Sequence, residues 1–288
     1  MKEFPIPLVA LGPGTHAEEE SLDYLPMPKD MDTYRAPMLP EPEELDGLDR
    51  ARAALRQVLD LLDRGAHGLV PLGTLASRET QIVNQVLGEG EASAIVQLGA
   101  AGLEVRVQES VFAGVWRLMT WRREAGGEAV WVDDAIEVGP VPSLFAATAA
   151  EDVWAEAPRW QGALPPNVQN APLLVEEIRD QVVRWQPGQP PHVVNLTLLP
   201  VTPEDIGFLD HLLGTGRVLM LSRGYGNCRI SNTRLPNCWR VVYYNSMDKV
   251  ILNTVEVVDM PEVAMAAPED LRDSHDRLRE VMAYLEGA

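Results

Sequence analysis

Apolar residues recur at helical spacing in several stretches of the chain. Val175, Ile178, Val182 and Trp185 form one stripe, and Ile206, Leu209, Leu212 and Leu213 form a second. Leu271, Leu278, Val281 and Leu285 form a third. These patterns predict helices over Leu173 to Trp185, from Pro203 to Leu213, and over Pro268 to Leu285. Glu43 to Arg64 and Ser143 to Ala155 complete the helical set. Thr202 suits an N-cap, Pro203 the first helical position, and Glu204 and Asp205 the positive end of the helix dipole. Strand candidates follow at Val218–Leu221, Cys228–Ser231, Trp239–Tyr244 and Val250–Val258, with turn-forming residues between them.

The same order occurs earlier in the chain. Ser77 to Gly90 matches Pro203 to Gly216, and both segments read as a helix closing in Leu-Gly-x-Gly. Val115–Trp121 then matches Cys238–Tyr244, and Ile136-Glu137-Val138 with Pro142 matches Val255-Glu256-Val257 with Pro261. Ala125-Gly126-Gly127 supplies a hairpin signal in the earlier stretch. Order and spacing held over this length predict an internal repeat. The fold class that follows is α+β: two tandem repeats, each an antiparallel sheet of about four strands with flanking helices. Residues 41–155 and 173–288 are the expected copies. A Pro-rich linker over 156–172 contains Pro158, Pro165, Pro166 and Pro172.

Residues 1–40 carry seven prolines, the run Glu18-Glu19-Glu20 and no regular periodicity. Such a segment buries too little apolar surface to fold alone, which predicts an extended acidic arm with sticky points at Tyr24 and Met27.

Charge narrows the function. With 24 basic against 43 acidic residues and a net charge of −19, nucleic acid and anionic membrane surfaces are poor partners. No apolar run reaches the ~18 residues of a membrane span, and Pro7 to Leu11 is too short for a secretory core. The expectation is a cytoplasmic protein that meets other proteins.

Chemistry-bearing patterns are sparse. The histidines are scattered, and none has a second ligand at metal spacing. Gly88-Glu89-Gly90 and Gly214-Thr215-Gly216 follow helices, whereas a dinucleotide loop precedes one. No Gly-x-Ser-x-Gly elbow occurs. Cys228 and Cys238, ten residues apart with Pro236 between, lack the Cys-x-x-Cys spacing of a functional dithiol, yet they are the candidate redox or cluster-ligand pair. No cofactor and no catalytic constellation is expected. Gly224-Tyr225-Gly226 has no counterpart in the earlier copy, and two flanking glycines can present a tyrosine ring outward. Tyr225, Gly224 and Gly226, with Tyr24 and Met27 of the arm, are therefore the candidate client-binding residues.

Five segments carry a resemblance: Leu11-Gly12-Pro13-Gly14, Leu22 to Pro28, Leu87-Gly88-Glu89-Gly90-Glu91, Gly224-Tyr225-Gly226, and Ala266-Ala267-Pro268-Glu269-Asp270-Leu271. Across essentially the whole chain, the sequence resembles the HupH/HyaF family of hydrogenase expression proteins. The resemblance implies a non-enzymatic chaperone in the maturation of [NiFe] uptake hydrogenase. It also implies that the iron–sulfur small subunit is assisted before export, particularly when oxygen is present, alongside a thioredoxin-like hydrogenase accessory protein. It brings no catalytic residues. A thiol-redox or iron–sulfur-handling protein using Cys228 and Cys238 is the alternative.

Overall fold

The computed structural model describes residues 47–99, 102–124, 127–224 and 226–287. The arm at 1–40, with Tyr24 and Met27, lies outside them, as does Tyr225. The elements run α1 (Asp49–Asp63), β1 (Gly68–Pro71), α2 (Ser77–Leu87), β2 (Ala92–Leu98), β3 (Leu103–Glu109), β4 (Val115–Arg123), β5 (Ala129–Val138) and α3 (Ser143–Asp152). Then come α4 (Ala171–Arg184), β6 (His192–Asn195), α5 (Pro203–Leu213), β7 (Val218–Ser222), β8 (Asn227–Asn232), β9 (Cys238–Tyr244), β10 (Val250–Val257) and α6 (Pro268–Leu285).

The chain packs as two compact units. The first comprises the described residues up to Phe145 together with 262–287, and the second comprises 146–261. Each has an antiparallel five-strand arrangement, β1-β5-β4-β3-β2 in the first and β7-β8-β9-β10-β6 in the second. The α+β class and the antiparallel meander agree with the sequence reading, but among the described residues there are five strands per unit and not about four. The additional strands, β1 and β6, are four residues each and sit beside the last strand of their meander. Four residues are too few to display a period of two, so the pattern hid them.

In the first unit the core joins the apolar faces of α1, α2 and α6 to one side of the sheet. Leu55, Val58, Val83, Val86 and Leu278 meet Val70, Val115, Ile136 and Val138. In the second unit α4 and α5 do the same work, with Val175, Ile178, Phe208, Leu209 and Leu212 against Val194, Cys238, Val255 and Val257. The C-terminal helix α6 packs on α1, where Arg52 donates to the Leu285 carbonyl at 2.8 Å and Arg56 pairs with Glu286 at 2.6 Å. The helix α3 supplies Asp152 to the second unit, where it accepts from the Arg217 side chain at 2.5 Å and the Asn232 amide at 2.9 Å.

The Leu-Gly-x-Gly motif has a separate duty for each glycine. Gly88 and Gly214 close α2 and α5 at φ of 56° and 68°, a region that costs other residues energy. Gly90 and Gly216 sit where a side chain has no room. A Cβ on Gly90 would lie 2.2 Å from the Ser110 carbonyl oxygen, and one on Gly216 would lie 2.0 Å from the Asn232 amide.

Each unit also ties two helix starts to one buried carboxylate. Asp205, third residue of α5, is fully buried. Its Oδ2 accepts from the Thr202 N–H at 3.1 Å, and Thr202 Oγ1 accepts from the Asp205 N–H at 3.0 Å, a reciprocal cap. Its Oδ1 accepts from the N–H groups of Gln169, Asn170 and Ala171 at 2.8, 3.0 and 2.9 Å, which form the start of α4. Glu79 holds the corresponding place in the first unit, accepting from the N–H groups of Ala76 at 3.1 Å and Arg50 at 3.0 Å. Burial would raise the Asp205 pKa, but the donated N–H groups outweigh it and the carboxyl stays below its ordinary value.

Two expectations follow. Asp205→Ala should lower unfolding stability by about 2–4 kcal/mol, because it orphans several buried donors at once. Urea titration measures it, and the loss should exceed that of Thr202→Ala. The second concerns Glu109, which burial raises from 4.5 to about 7, with the Glu91 and Asp270 carboxylates adding to the shift. The folded state then holds a proton that the unfolded chain has released. Stability should therefore fall as pH rises from about 4.5 to about 7. Asp205 works in the opposite sense, and its contribution is lost only as pH falls through its depressed pKa. Glu109→Gln should flatten the neutral slope and stabilise the protein at pH 8 by about 1–3 kcal/mol, read from melting curves at several pH values.

Candidate functional site

The Gly-Tyr-Gly segment connects β7 to β8. Gly226 adopts a φ of 98°, its N–H donates to the Arg223 carbonyl at 3.3 Å, and nothing lies within 4 Å of where a Cβ would project. Gly224 is half-buried on the other side of the turn. Gly226 is thus left-handed with open space beside it. Tyr225 between them lies outside the described residues.

The two cysteines are not brought together. Cys228 pairs with Tyr243 across β8 and β9, and Cys238 pairs with Val257 across β9 and β10. Cys238 and Tyr243 are five residues apart on one strand, so they point to opposite faces about 16 Å apart. Both thiols are buried. Burial pushes Cys228 up to about 12, with Tyr243 hydrogen-bonding it, and Cys238 up to about 11. Both are protonated at neutral pH. On the Cys228 face, Glu256 is raised by burial while accepting from Thr254 Oγ1 at 2.9 Å.

The opposite face of the sheet carries an arrangement that the sequence reading passed over. Arg240 pairs with Ser231 and Val255, and Arg229 and Asn253 both pair with Val242, so all three side chains share the face on which Cys238 lies. The Arg240 side chain is only 9% exposed. Its Nε, Nη1 and Nη2 have no hydrogen-bond acceptor among the described residues, and neither does the buried Asn253 Oδ1 have a donor. The nearest carboxylate, Asp210 of α5, stands 3.6 Å from Nη1 and is 43% exposed. Burial lowers the Arg240 pKa against the opposing pull of Asp210.

The first unit has the same register with different partners. Arg117 of β4 pairs with Ile136 as Arg240 pairs with Val255, and its Nε and Nη2 grip both oxygens of Asp134. Its Nη1 reaches the Asn84 amide oxygen. Arg106 pairs with Glu104 at 2.7 Å and lies 5.3 Å over the Trp121 ring, as Arg229 lies 5.9 Å over Tyr244. Where the first unit has Glu104 and Asp134, the second has Asn227 and Asn253. Where it has Asn84, the second has Asp210. Both arginines of the second unit thus keep their places, with amides at two positions that hold carboxylates in the first. The matched Trp116-Arg117 and Trp239-Arg240 carried a signal for this pair, but a buried arginine and an exposed strand arginine look alike in sequence.

Among the described residues, no three His, Cys, Asp or Glu side chains are placed to hold a metal ion, and no helix is long and apolar enough to cross a membrane. A shallow pocket is lined by Gln181, Arg184, Trp185, Pro190 and His192.

Comparison with known proteins gives a consistent picture. Residues 168–285 match the family described as HupH hydrogenase expression protein, C-terminal conserved region. The chain is 50% identical to the hydrogenase expression/formation protein HoxQ of Cupriavidus necator over 292 residues, covering 99% of each. It is 42% identical over 289 residues to the hydrogenase expression/formation protein HupH of Rhodobacter capsulatus, covering 98% of each. A solved structure of the hydrogenase expression protein HupH from Thiobacillus denitrificans is 26% identical and spans 40% of this chain and 96% of its own, with a TM-score of 0.38.

Proposed function

The chain belongs to the HupH family of hydrogenase expression/formation proteins, and we propose that it serves hydrogenase maturation as a non-enzymatic binding protein. The observation that carries this reading is likeness over 99% of the chain to a protein named for hydrogenase expression and formation. In finer terms, it assists the iron–sulfur small subunit of a [NiFe] uptake hydrogenase in the cytoplasm before export, beside a thioredoxin-like accessory protein. The acidic arm and the Gly224–Gly226 turn make client contact, with Tyr225, Tyr24 and Met27 as anchors, since tyrosine buries area with little entropy loss.

Two tandem copies of one α+β unit underlie this assembly, at residues 41–155 and 173–288. Matching strand order and the carboxylates Glu79 and Asp205 support that view. So do Trp116 and Trp239, whose Nε1 groups donate to the Gly139 and Asp259 carbonyls at 3.0 and 3.1 Å. Such copies follow the sequence repeat, whereas the packing division at 145/146 and 261/262 follows contacts, so the two partitions differ at the closing helices.

A dithiol or cluster mechanism requires sulfurs that meet, and Cys228 and Cys238 stand on opposite faces with raised pKa values. The test is an affinity pull-down of the small-subunit precursor from hydrogenase-producing cells. Wild type and the double variant Cys228→Ser, Cys238→Ser should capture it equally. The substitutions should cost at most about 1–3 kcal/mol of stability each. A folded double variant that captures the precursor yet leaves hydrogenase immature would return the redox reading. Failure of the wild-type protein to capture the precursor would remove the small subunit as client.

A further inference from the structure

The guanidinium of Arg240, which has no hydrogen-bond acceptor among the described residues, points to a ligand. A buried cation with no hydrogen-bond acceptor is costly to keep, and arginine offers a planar fork matched to two oxygens in one plane. The first unit shows what this strand position takes. There, Nε and Nη2 of Arg117 hold both oxygens of Asp134, and Nη1 faces residue 84 of α2. In the second unit Nη1 stands 3.6 Å from Asp210 of α5, and the register puts Asn253 at the position that Asp134 holds in the first unit. The Asn253 Oδ1 is itself buried, with no donor among the described residues. Two orphaned groups therefore lie where the other unit holds a carboxylate.

We propose that Arg240, together with the Asn253 amide, is a receptor for a carboxylate presented by an acidic peptide segment of a partner protein. The carboxylate takes the Nε and Nη2 hydrogens as a bidentate pair. The Asn253 amide, turned by half a rotation about its terminal bond, donates to the same group. Arg229 shares this face, and Asn227 and Asn253 stand at the positions that Glu104 and Asp134 hold in the first unit. Asp210 is 43% exposed and 3.6 Å from Nη1, so the guanidinium lies one side chain's depth below the surface. Residue Asn227 of β8, directly after Gly226, pairs with Tyr244, which places the Gly224–Gly226 turn at the β9 end beyond Arg240. The site rests on the binding role proposed above only for the identity of its natural ligand.

The test needs no client. Full-length protein labelled with ¹⁵N in its arginine side chains is titrated with sodium acetate at constant ionic strength, and the Nε–H resonance of Arg240 is followed. A saturable shift is expected. Asn253→Asp supplies the carboxylate internally, as Asp134 does for Arg117. It should move the resonance before any acetate is added, raise the melting temperature, and weaken the acetate response by about tenfold or more. No shift in the wild-type protein would overturn the proposal, as would a response to inorganic phosphate as large as that to acetate. An Asn253→Asp variant that responds to acetate as wild type does, or that fails to fold, would show that position 253 does not adjoin a carboxylate slot. Any of these failures leaves the maturation reading standing, because neither acetate nor phosphate reports on the client.

Discussion

A helix that starts inside a protein leaves N–H groups with no partner, and burying them unmet is expensive. Both units meet this constraint with a single carboxylate that serves two helices. Asp205 caps its own helix through Thr202 and also accepts from the first N–H groups of α4, so the two helices that cover the sheet are fixed to each other at their starts. Glu79 links α2 to the start of α1 by the same logic. The remaining packing is conditional on that link. The apolar stripes of α4 and α5 can face Val194, Val255 and Val257 together only if the helices begin in a fixed relation. The negative charge costs desolvation, but it lies where two helix dipoles converge and where several donors reach it. A neutral side chain would serve fewer of them.

The same economy governs the arginines buried on the sheet. Replacing a buried ion pair with apolar residues is often neutral or stabilising, so pairs of this kind are weak evidence for stability. The Arg117–Asp134–Asn84 set is closed: each guanidinium nitrogen has an acceptor within the first unit. Its counterpart at Arg240 is open, with one carboxylate beyond hydrogen-bond reach. A position that only had to fill space at this register would be served better by leucine or methionine. The retained arginine with its carboxylate partner changed to asparagine is the sequence difference that stability does not explain.

Much of the fold was legible in the sequence because its devices are local. The caps at Thr202 and Asp205, the glycines that close α2 and α5, the apolar stripes and eight of the ten strands among the described residues can be read from windows of a dozen residues. What escaped is nonlocal. Strands β1 and β6 are four residues each and gain identity only by pairing with β5 and β10. The packing of α6 on α1 links residues more than 200 positions apart, through contacts such as Arg52 to Leu285, and no local pattern encodes it. The open arginine was invisible for a related reason. Its character depends on which residues stand opposite across two strands and one helix, at positions 210 and 253. The functional reading came by another route, from blocks resembling a known family, and local physics contributed mainly exclusions.

The two thiols illustrate how a sheet separates residues that sequence places close together. Ten positions with a proline between them lack the spacing of a functional dithiol, and only a tight hairpin between the two strands would join them. A strand alternates its side chains, and Cys238 and Tyr243 differ by an odd number, so the residue facing Cys228 across the ladder lies on the other side from Cys238. A one-residue shift in register would reverse that outcome, but it would also turn Trp239 and Val241 to the face occupied by Cys238 and Arg240. The hydrogen bond from Trp239 Nε1 to the Asp259 carbonyl, 3.1 Å long, exists only in the present register. The bond that anchors the indole therefore also keeps the thiols apart. In this sheet, the alternation that builds the core leaves one face to Arg240 and assigns Cys228 to the other.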